Sequence, residues 1–225
     1  MRILAIETAT GTGSVALWDD HLDRLDAVSL GPDRDHGRRL AMAVERLVEG
    51  SVETLDAYAI AIGPGSFTGL RVGLAFVKGL ALAHPRPALP ISTLALVAEA
   101  ARRIRGPGSV LAVLDARNDE VFARLEPSGA LAEGLYGTQT LAGLLAAEMP
   151  GILAGDRVPA LEAVLPGWSH LELPAEPPLA AILAQLAAPR LLAGDGVDPQ
   201  PLEPAYLQAA AVDRRRSVTQ PSPPR

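Results

Sequence analysis

The order of strands and helices in the first hundred residues recurs after residue 106, and this repetition limits the fold more than any other feature. Each half has the pattern of three strands, a helix, a strand and a helix, followed by one more strand. The apolar run at 3–6 has a counterpart at 110–113. A duplicated βββαβα unit predicts an α/β fold of two lobes, in which two similar mixed sheets pack face to face across a cleft.

The turn Gly106-Pro107-Gly108 is the predicted boundary between the lobes. We expect 1–105 to form the first lobe and 106–208 the second, with the last helix packing back on the first lobe. Pro189 is expected to kink or end that helix. Residues 209–225, rich in Arg and Pro, are predicted to form a flexible tail. The predicted strands are 2–7, 14–18, 22–30, 57–62, 88–91, 110–115, 120–125, 132–136, 152–154 and 168–173, and the predicted helices are 37–49, 66–83, 92–104, 141–148, 160–165 and 179–192.

Composition excludes several classes of function. Twenty Lys and Arg against 26 Asp and Glu give a net charge of −6, which is unlike a nucleic-acid-binding protein. The chain has no cysteine, so disulfides, thiolate metal sites and cysteine nucleophiles are excluded. The histidines at 21, 36, 84 and 170 form no i, i+4 pair, so neither a zinc peptidase nor any other metal site is expected. The apolar stretch at 70–83 is too short for a membrane span, and a cytoplasmic location is expected.

The segment Gly63-Pro64-Gly65-Ser66-Phe67-Thr68-Gly69 joins a buried strand to a helix. It is not a nucleophile elbow, because Pro64 and Thr68 stand where that motif needs glycine. It is not a phosphate-binding Walker loop either, because no Gly-Lys-Ser/Thr tripeptide occurs in the chain. No catalytic residue is predicted from it.

The helix after this loop is apolar almost all round, and such a helix must bury its second face. Each interior glycine costs about 1 kcal/mol of helix propensity against alanine, so Gly69, Gly73 and Gly79 suggest close approach of another backbone. One explanation is packing on the protein's own sheet, and the other is a protein partner. The helix places Gly79 on a different side from Gly73. The predicted partner interface comprises Leu40, Val44, Gly69, Arg71, Gly73, Phe76 and Leu80.

Glu7 and Asp115 end the first strand of each half, where two carboxylates could face each other across the cleft and hold a metal–phosphate group. Together with Thr8 they are the candidates for a nucleotide site. Neither following loop contains a lysine, so we expect ATP and Mg²⁺ to bind weakly or only at a shared interface, and predict no cofactor. An ATP-dependent phosphotransferase of the same fold remains the alternative function; a metallopeptidase is disfavoured by the histidine spacing.

Three segments identify a resemblance to a known family. The N-terminal 1–10, the glycine-rich stretch 63–73 and the tripeptide Asp115-Ala116-Arg117 closely resemble the TsaB family, and the similarity extends over about 1–208. These are non-catalytic dimerisation subunits of the bacterial machinery that makes N6-threonylcarbamoyladenosine (t6A) in tRNA. The resemblance implies the actin/Hsp70/sugar-kinase fold and a scaffold role.

The resemblance also implies partners. These are a paralogous catalytic subunit (TsaD-like), a small P-loop ATPase subunit (TsaE-like), tRNA only through the complex, and a second copy of the chain when it is alone. The catalytic paralogue has a His-x-x-x-His metal pair, and the matching positions here are Thr93 and Val97. Neither binds a metal as histidine does, so the resemblance implies that this chain is not an enzyme by itself.

Overall fold

The computed structural model describes residues 1–31, 36–127 and 131–207, and the predicted tail at 209–225 lies outside them. A short 3-10 turn at Val52–Thr54 precedes the fourth strand. The strands are β1 (Arg2–Glu7), β2 (Ser14–Asp19), β3 (Arg24–Ser29), β4 (Ala57–Ala61), β5 (Ala88–Ile91), β6 (Val110–Arg117), β7 (Glu120–Glu126), β8 (Gly134–Gly137), β9 (Ile152–Gly155) and β10 (Ser169–Leu171). The helices are α1 (His36–Val48), α2 (Phe67–Ala83), α3 (Thr93–Arg105), α4 (Thr138–Leu144), α5 (Pro159–Val164) and α6 (Leu179–Leu192).

The two halves form sheets of the same topology. The first sheet has the order β3-β2-β1-β4-β5, and the second has the equivalent order β8-β7-β6-β9-β10. In both, the first three strands form an antiparallel meander, and the fourth and fifth strands add in parallel. The predicted two-lobed α/β fold with a duplicated unit is therefore confirmed.

Each sheet buries both faces, because helices cover it on either side. On the outer side, α1 and α2 cover the first sheet, and α4 and α5 cover the second. On the inner side, α6 lies on the first sheet, α3 lies on the second, and the two helices pack against each other. The two sheets do not pack directly on each other, because this pair of helices covers the apolar inner face of each.

Helix α6 has the predicted bounds, and the differences from the prediction concern the effect of Pro189 and the bounds of α4. Pro189 does not end α6, which continues to Leu192. The proline ring leaves the carbonyl of Gln185 without its helical donor, but both residues are exposed, so water can replace that bond. Helix α4 begins and ends earlier than predicted, and a hydrogen bond from the Thr138 N–H to the Asp119 carbonyl at 2.9 Å holds its first residue. Within the described residues, no helix has the length and apolar character needed to cross a membrane.

Candidate functional site

The glycine-rich loop before α2 packs on the backbone that follows β1. The Ser66 N–H donates to the Ala9 carbonyl at 2.7 Å, and the Ser66 hydroxyl accepts the Gly69 N–H at 3.1 Å as the N-cap of α2. A Cβ on Gly69 would lie 1.9 Å from the Thr8 carbonyl oxygen, and one on Gly73 would lie 2.3 Å from Thr8 Oγ1. These glycines therefore allow close approach within the chain itself.

This packing corrects four residues of the predicted partner interface. Gly69 and Gly73 face the protein's own first sheet and are buried there. Leu40 and Val44 on α1 are buried in the core between that sheet and the outer helices. The prediction placed them on the wrong side because an apolar helix pattern does not show which face meets the sheet and which meets solvent.

The exposed surface of α2 lies on the opposite side of the helix. We call Ala75, Gly79 and Leu82 the outer face of α2; all three are exposed, and Leu82 is 79% exposed. Phe76 and Leu80 are half-buried on the flank toward α1. These three residues are uncharged, and two cations lie beside them on the same side of the helix: Arg71 is four residues before Ala75, and Lys78 is four residues before Leu82. This face was not predicted from the sequence, although the i, i+4, i+7 spacing of its three residues could have identified it.

A cleft of about 420 Å³ opens between the lobes. Its walls come from the loop between β1 and β2, the start of α6, and residues that follow β9 and β10. The charged residues that line it are Glu7, Asp156 and Glu172, and no described lysine or arginine does so. Both Glu7 carboxylate oxygens accept hydrogen bonds from its own loop, from Thr10 N at 2.7 Å and Thr10 Oγ1 at 2.8 Å.

Two of the three predicted nucleotide-site residues are not in the cleft. Thr8 is fully buried on the other side of the first sheet, where its hydroxyl donates to the Gly69 carbonyl at 2.8 Å. Asp115 does not occupy the position in β6 that Glu7 occupies in β1. The equivalent residue of β6 is Leu114, one residue earlier, and its side chain lines the cleft. Side chains alternate across a strand, so this offset of one residue turns Asp115 away from Glu7. The two carboxylates do not face each other.

Asp156 is the acidic group that the sequence analysis missed on the second lobe. Its Oδ2 accepts the Asp115 N–H at 2.9 Å. Although part of the side chain reaches solvent, desolvation raises the pKa of the Asp156 carboxyl above its ordinary 3.8; the Asp115 N–H opposes this rise and the Asp115 charge adds to it. Its position directly after a parallel strand could have identified it, because such strand ends commonly line clefts.

The start of α3 holds Thr93 and Val97, the two positions that the family resemblance matched to a metal-binding pair of histidines. Ser92 caps the helix as predicted, accepting the Ala95 N–H at 3.3 Å. Thr93 is fully buried and its hydroxyl has no hydrogen-bond partner, while Val97 lies in the core and reaches the cleft. Nowhere among the described residues do three or more His, Asp or Glu side chains come close enough to hold a metal ion.

Comparisons with known proteins agree with this architecture. An uncharacterised Pseudomonas aeruginosa protein, described as similar to the peptidase YeaZ, superposes with a TM-score of 0.77 at 30% identity, covering 92% of this chain and 99% of that one. The Escherichia coli tRNA threonylcarbamoyladenosine biosynthesis protein TsaB is 43% identical over 125 residues, which are 54% of this chain and 53% of that protein.

A third relative is a transferase. The tRNA N6-adenosine threonylcarbamoyltransferase of Fervidobacterium nodosum is 31% identical over 109 residues, 41% of this chain and 32% of that protein. The chain thus spans about half the length, or less, of the curated relatives that it matches. A family model described as TsaD, tRNA N6-adenosine threonylcarbamoyltransferase, matches residues 32–154, more than half of the chain. The chain belongs to this TsaD family and, among its relatives, is similar to the proteins named TsaB.

Proposed function

We propose that this chain is a non-catalytic scaffold subunit for the t6A modification of tRNA in the cytoplasm. It pairs with a paralogous, TsaD-like threonylcarbamoyltransferase and supports the activity of that subunit. The similarity to proteins named TsaB supports the process, and the match to the TsaD family supports a partner of the same fold.

The observation that carries the scaffold role is the exposure of small and apolar residues on the outer face of α2, namely Ala75, Gly79 and Leu82. Exposed apolar surface of this kind marks protein interaction sites in many proteins. Ala75 and Gly79 have little or no side chain, so a helix of the partner can come close to α2 there, and Leu82 supplies an apolar side chain beside them. Of the interface predicted from the sequence, Arg71, Phe76 and Leu80 remain part of this proposal because they reach solvent.

Catalysis by this chain has little support among its residues. Thr93 and Val97 offer no metal ligand of the histidine type, and the cleft has carboxylates but no described cation to hold a triphosphate. These features also weigh against the phosphotransferase alternative. We therefore assign the transfer chemistry to the paralogous subunit, with a TsaE-like P-loop ATPase as a third subunit and with tRNA bound only through the complex. Without its partner, the chain would pair with a second copy of itself through the same face.

The test is a binding titration with the TsaD-family subunit of the same organism. Leu82→Glu places a charge on the outer face of α2 and should weaken binding at least about tenfold, equivalent to about 1.4 kcal/mol. Leu144→Glu is the matched control, because Leu144 is also exposed (51%) but lies on α4 of the second lobe. Thermal unfolding should show both variants folded.

Three results would contradict the proposal. The unchanged chain could fail to bind the TsaD-family subunit, the Leu82→Glu variant could bind with unchanged affinity, or the Leu144→Glu control could lose as much affinity as Leu82→Glu.

A further inference from the structure

The flank of α2 that faces away from α1 carries both cations of that helix. Arg71 is exposed and Lys78, the only lysine in the chain, is half-exposed. Seven residues at about 1.5 Å each place them about 10 Å apart along the helix axis. Among the described residues, no carboxylate lies within ion-pair distance of either side chain. Although the chain has a net charge of −6, neither of these two cations is neutralised by an ion pair among the described residues.

A groove runs between these cations and the last described segment of the chain. Its volume is about 450 Å³, and we call it the Arg71–Lys78 groove. Leu74 and Ala75 of α2 form one wall. The opposite wall is Leu202–Tyr206, which contains Glu203, the one acidic residue that lines the groove among the described residues. The groove is thus apolar in its walls and basic at two points along α2.

The segment that forms the second wall is held in place along its length. Val197 pairs with Ala88 at the edge of β5 through hydrogen bonds of 2.8 and 2.9 Å. Further along, the Gln200 side chain donates to the Lys78 carbonyl at 3.0 Å, and the Ala205 N–H donates to the Ile62 carbonyl at 2.7 Å. The groove is therefore preformed, so a ligand would not need to order this segment when it binds.

The Arg71 side chain is oriented by two aromatic neighbours. Its Nε donates to the Tyr206 hydroxyl at 3.0 Å, and its guanidinium carbon lies 3.8 Å from the centre of the Phe67 ring. Phe67 and Tyr206 are themselves exposed. This arrangement uses one edge and one face of the guanidinium and leaves its two terminal nitrogens in the fork geometry that binds a carboxylate through two parallel hydrogen bonds.

We propose that the Arg71–Lys78 groove docks an extended acidic segment of a partner protein. One carboxylate binds the Arg71 fork, a second binds Lys78, and an apolar side chain between them packs on Leu74 and Leu202. A nucleic acid fits less well, because two cations neutralise few phosphates and the remaining charge of the chain repels the others. That the segment belongs to the TsaD-like subunit rests on the proposed function; the chemistry of the segment rests on the groove.

The experiment titrates the TsaD-family subunit of the same organism against charge-reversal variants at low and high salt. Arg71→Glu and Lys78→Glu should each weaken binding about tenfold, and the double variant should lose most of the salt dependence of the unchanged chain. Arg71→Lys keeps the charge but not the fork, and should give an intermediate loss. Arg105→Glu, at an exposed arginine ending α3, is the control and should bind as the unchanged chain does.

Each remaining outcome overturns a different statement. No binding by the unchanged chain would overturn the proposed function and, with it, the identity of the docked segment. If the unchanged chain bound strongly and Arg71→Glu and Lys78→Glu bound equally strongly, only the proposal for the groove would be overturned. The same would follow if Arg105→Glu lost as much affinity as these two variants. A loss of affinity for added tRNA, with affinity for the protein subunit unchanged, would show that the groove binds nucleic acid instead.

Discussion

Gly69 illustrates how one residue sets the position of a helix. Its missing side chain lets the first turn of α2 lie against the Thr8 carbonyl, where a Cβ would come within 1.9 Å. Gly69→Ala should therefore lower the free energy of unfolding by about 1–3 kcal/mol, because backbone atoms must move to make room. Chemical denaturation of the variant beside the unchanged chain measures this loss.

Gly79 of the same helix provides the matched control. A Cβ there would meet no atom within 4 Å. Gly79→Ala should raise the free energy of unfolding by up to about 1 kcal/mol, since alanine is the better helix former and nothing is crowded. If both variants changed stability in the same direction, the assignment of the inner and outer faces of α2 would be wrong.

The burial of Tyr58 predicts that the stability of the protein falls at alkaline pH. Its side chain is fully buried, and its hydroxyl donates to the His84 carbonyl at 3.1 Å. Desolvation raises the pKa of Tyr58 above its ordinary 10.0, and the Arg86 charge opposes the rise only in part. Above pH 10 the unfolded chain loses this proton before the folded chain does, so stability falls as pH rises through the raised pKa.

Tyr58→Phe tests this coupling. The variant should be about 1 kcal/mol less stable at pH 8, because it lacks the hydrogen bond to His84. Since it also lacks the ionisation, its stability should approach that of the unchanged chain as the pH rises above 10. Denaturation at a series of pH values measures the difference, and a difference that stays constant from pH 8 to 11 would show that Tyr58 does not contribute in this way.

At the scale of elements, the sequence predicted those strands, helices and caps that depend only on the pattern of neighbouring residues. β1 and β6 were found because their apolar runs are short and end at turn-forming residues, and Ser92 was found as a cap because a helix pattern follows it. The same reasoning located α6 but could not place it between the lobes. The contacts of α6 with β1 and β2 join residues far apart in the chain, as when the Ala180 N–H bonds the Ser14 hydroxyl at 3.0 Å.

The candidate site was predicted less well than the fold, for two physical reasons. The exposed face of α2 was misplaced because most of the helix is apolar, and only the position of the sheet decides that Gly73 is inside and Leu82 outside. The cleft carboxylates were misplaced by a register of one residue, which put Asp115 on the wrong side of β6. Sequence spacing does not fix register between two sheets that never hydrogen-bond to each other.

At the scale of the whole molecule, the cleft between the lobes predicts weak nucleotide binding. Glu7, Asp156 and Glu172 line it, and no described cation offsets their charge against a triphosphate. Calorimetric titration with ATP and Mg²⁺ should give no heat, or a dissociation constant in the high micromolar range, about −5 kcal/mol or weaker. Low-micromolar affinity in the isolated chain would instead favour the phosphotransferase alternative.

The two lobes also share a core, which bears on how the molecule unfolds. Leu183 and Ile182 of α6 pack on the first sheet, Leu94 and Val97 of α3 pack on the second, and the helices contact each other. Burying one such large apolar side chain contributes about 1.5–3 kcal/mol, and the net stability of a domain is only about 5–15 kcal/mol. Neither lobe can lose its inner helix and remain stable, so separate unfolding of the lobes is unfavourable.

We therefore expect one cooperative transition, and the chain carries its own probes for it. It has two tryptophans, Trp18 in β2 of the first lobe and Trp168 just before β10 of the second, both packed at the edges of their cores. The variants Trp18→Phe and Trp168→Phe each leave one tryptophan, so the tryptophan emission of each reports on a single lobe. Adding Leu183→Ala to each of these variants should lower the free energy of unfolding by about 2–5 kcal/mol. Both tryptophans should then report the same, lower denaturation midpoint. A shift seen by Trp18 alone would mean that α6 stabilises only the first lobe and that the lobes unfold independently.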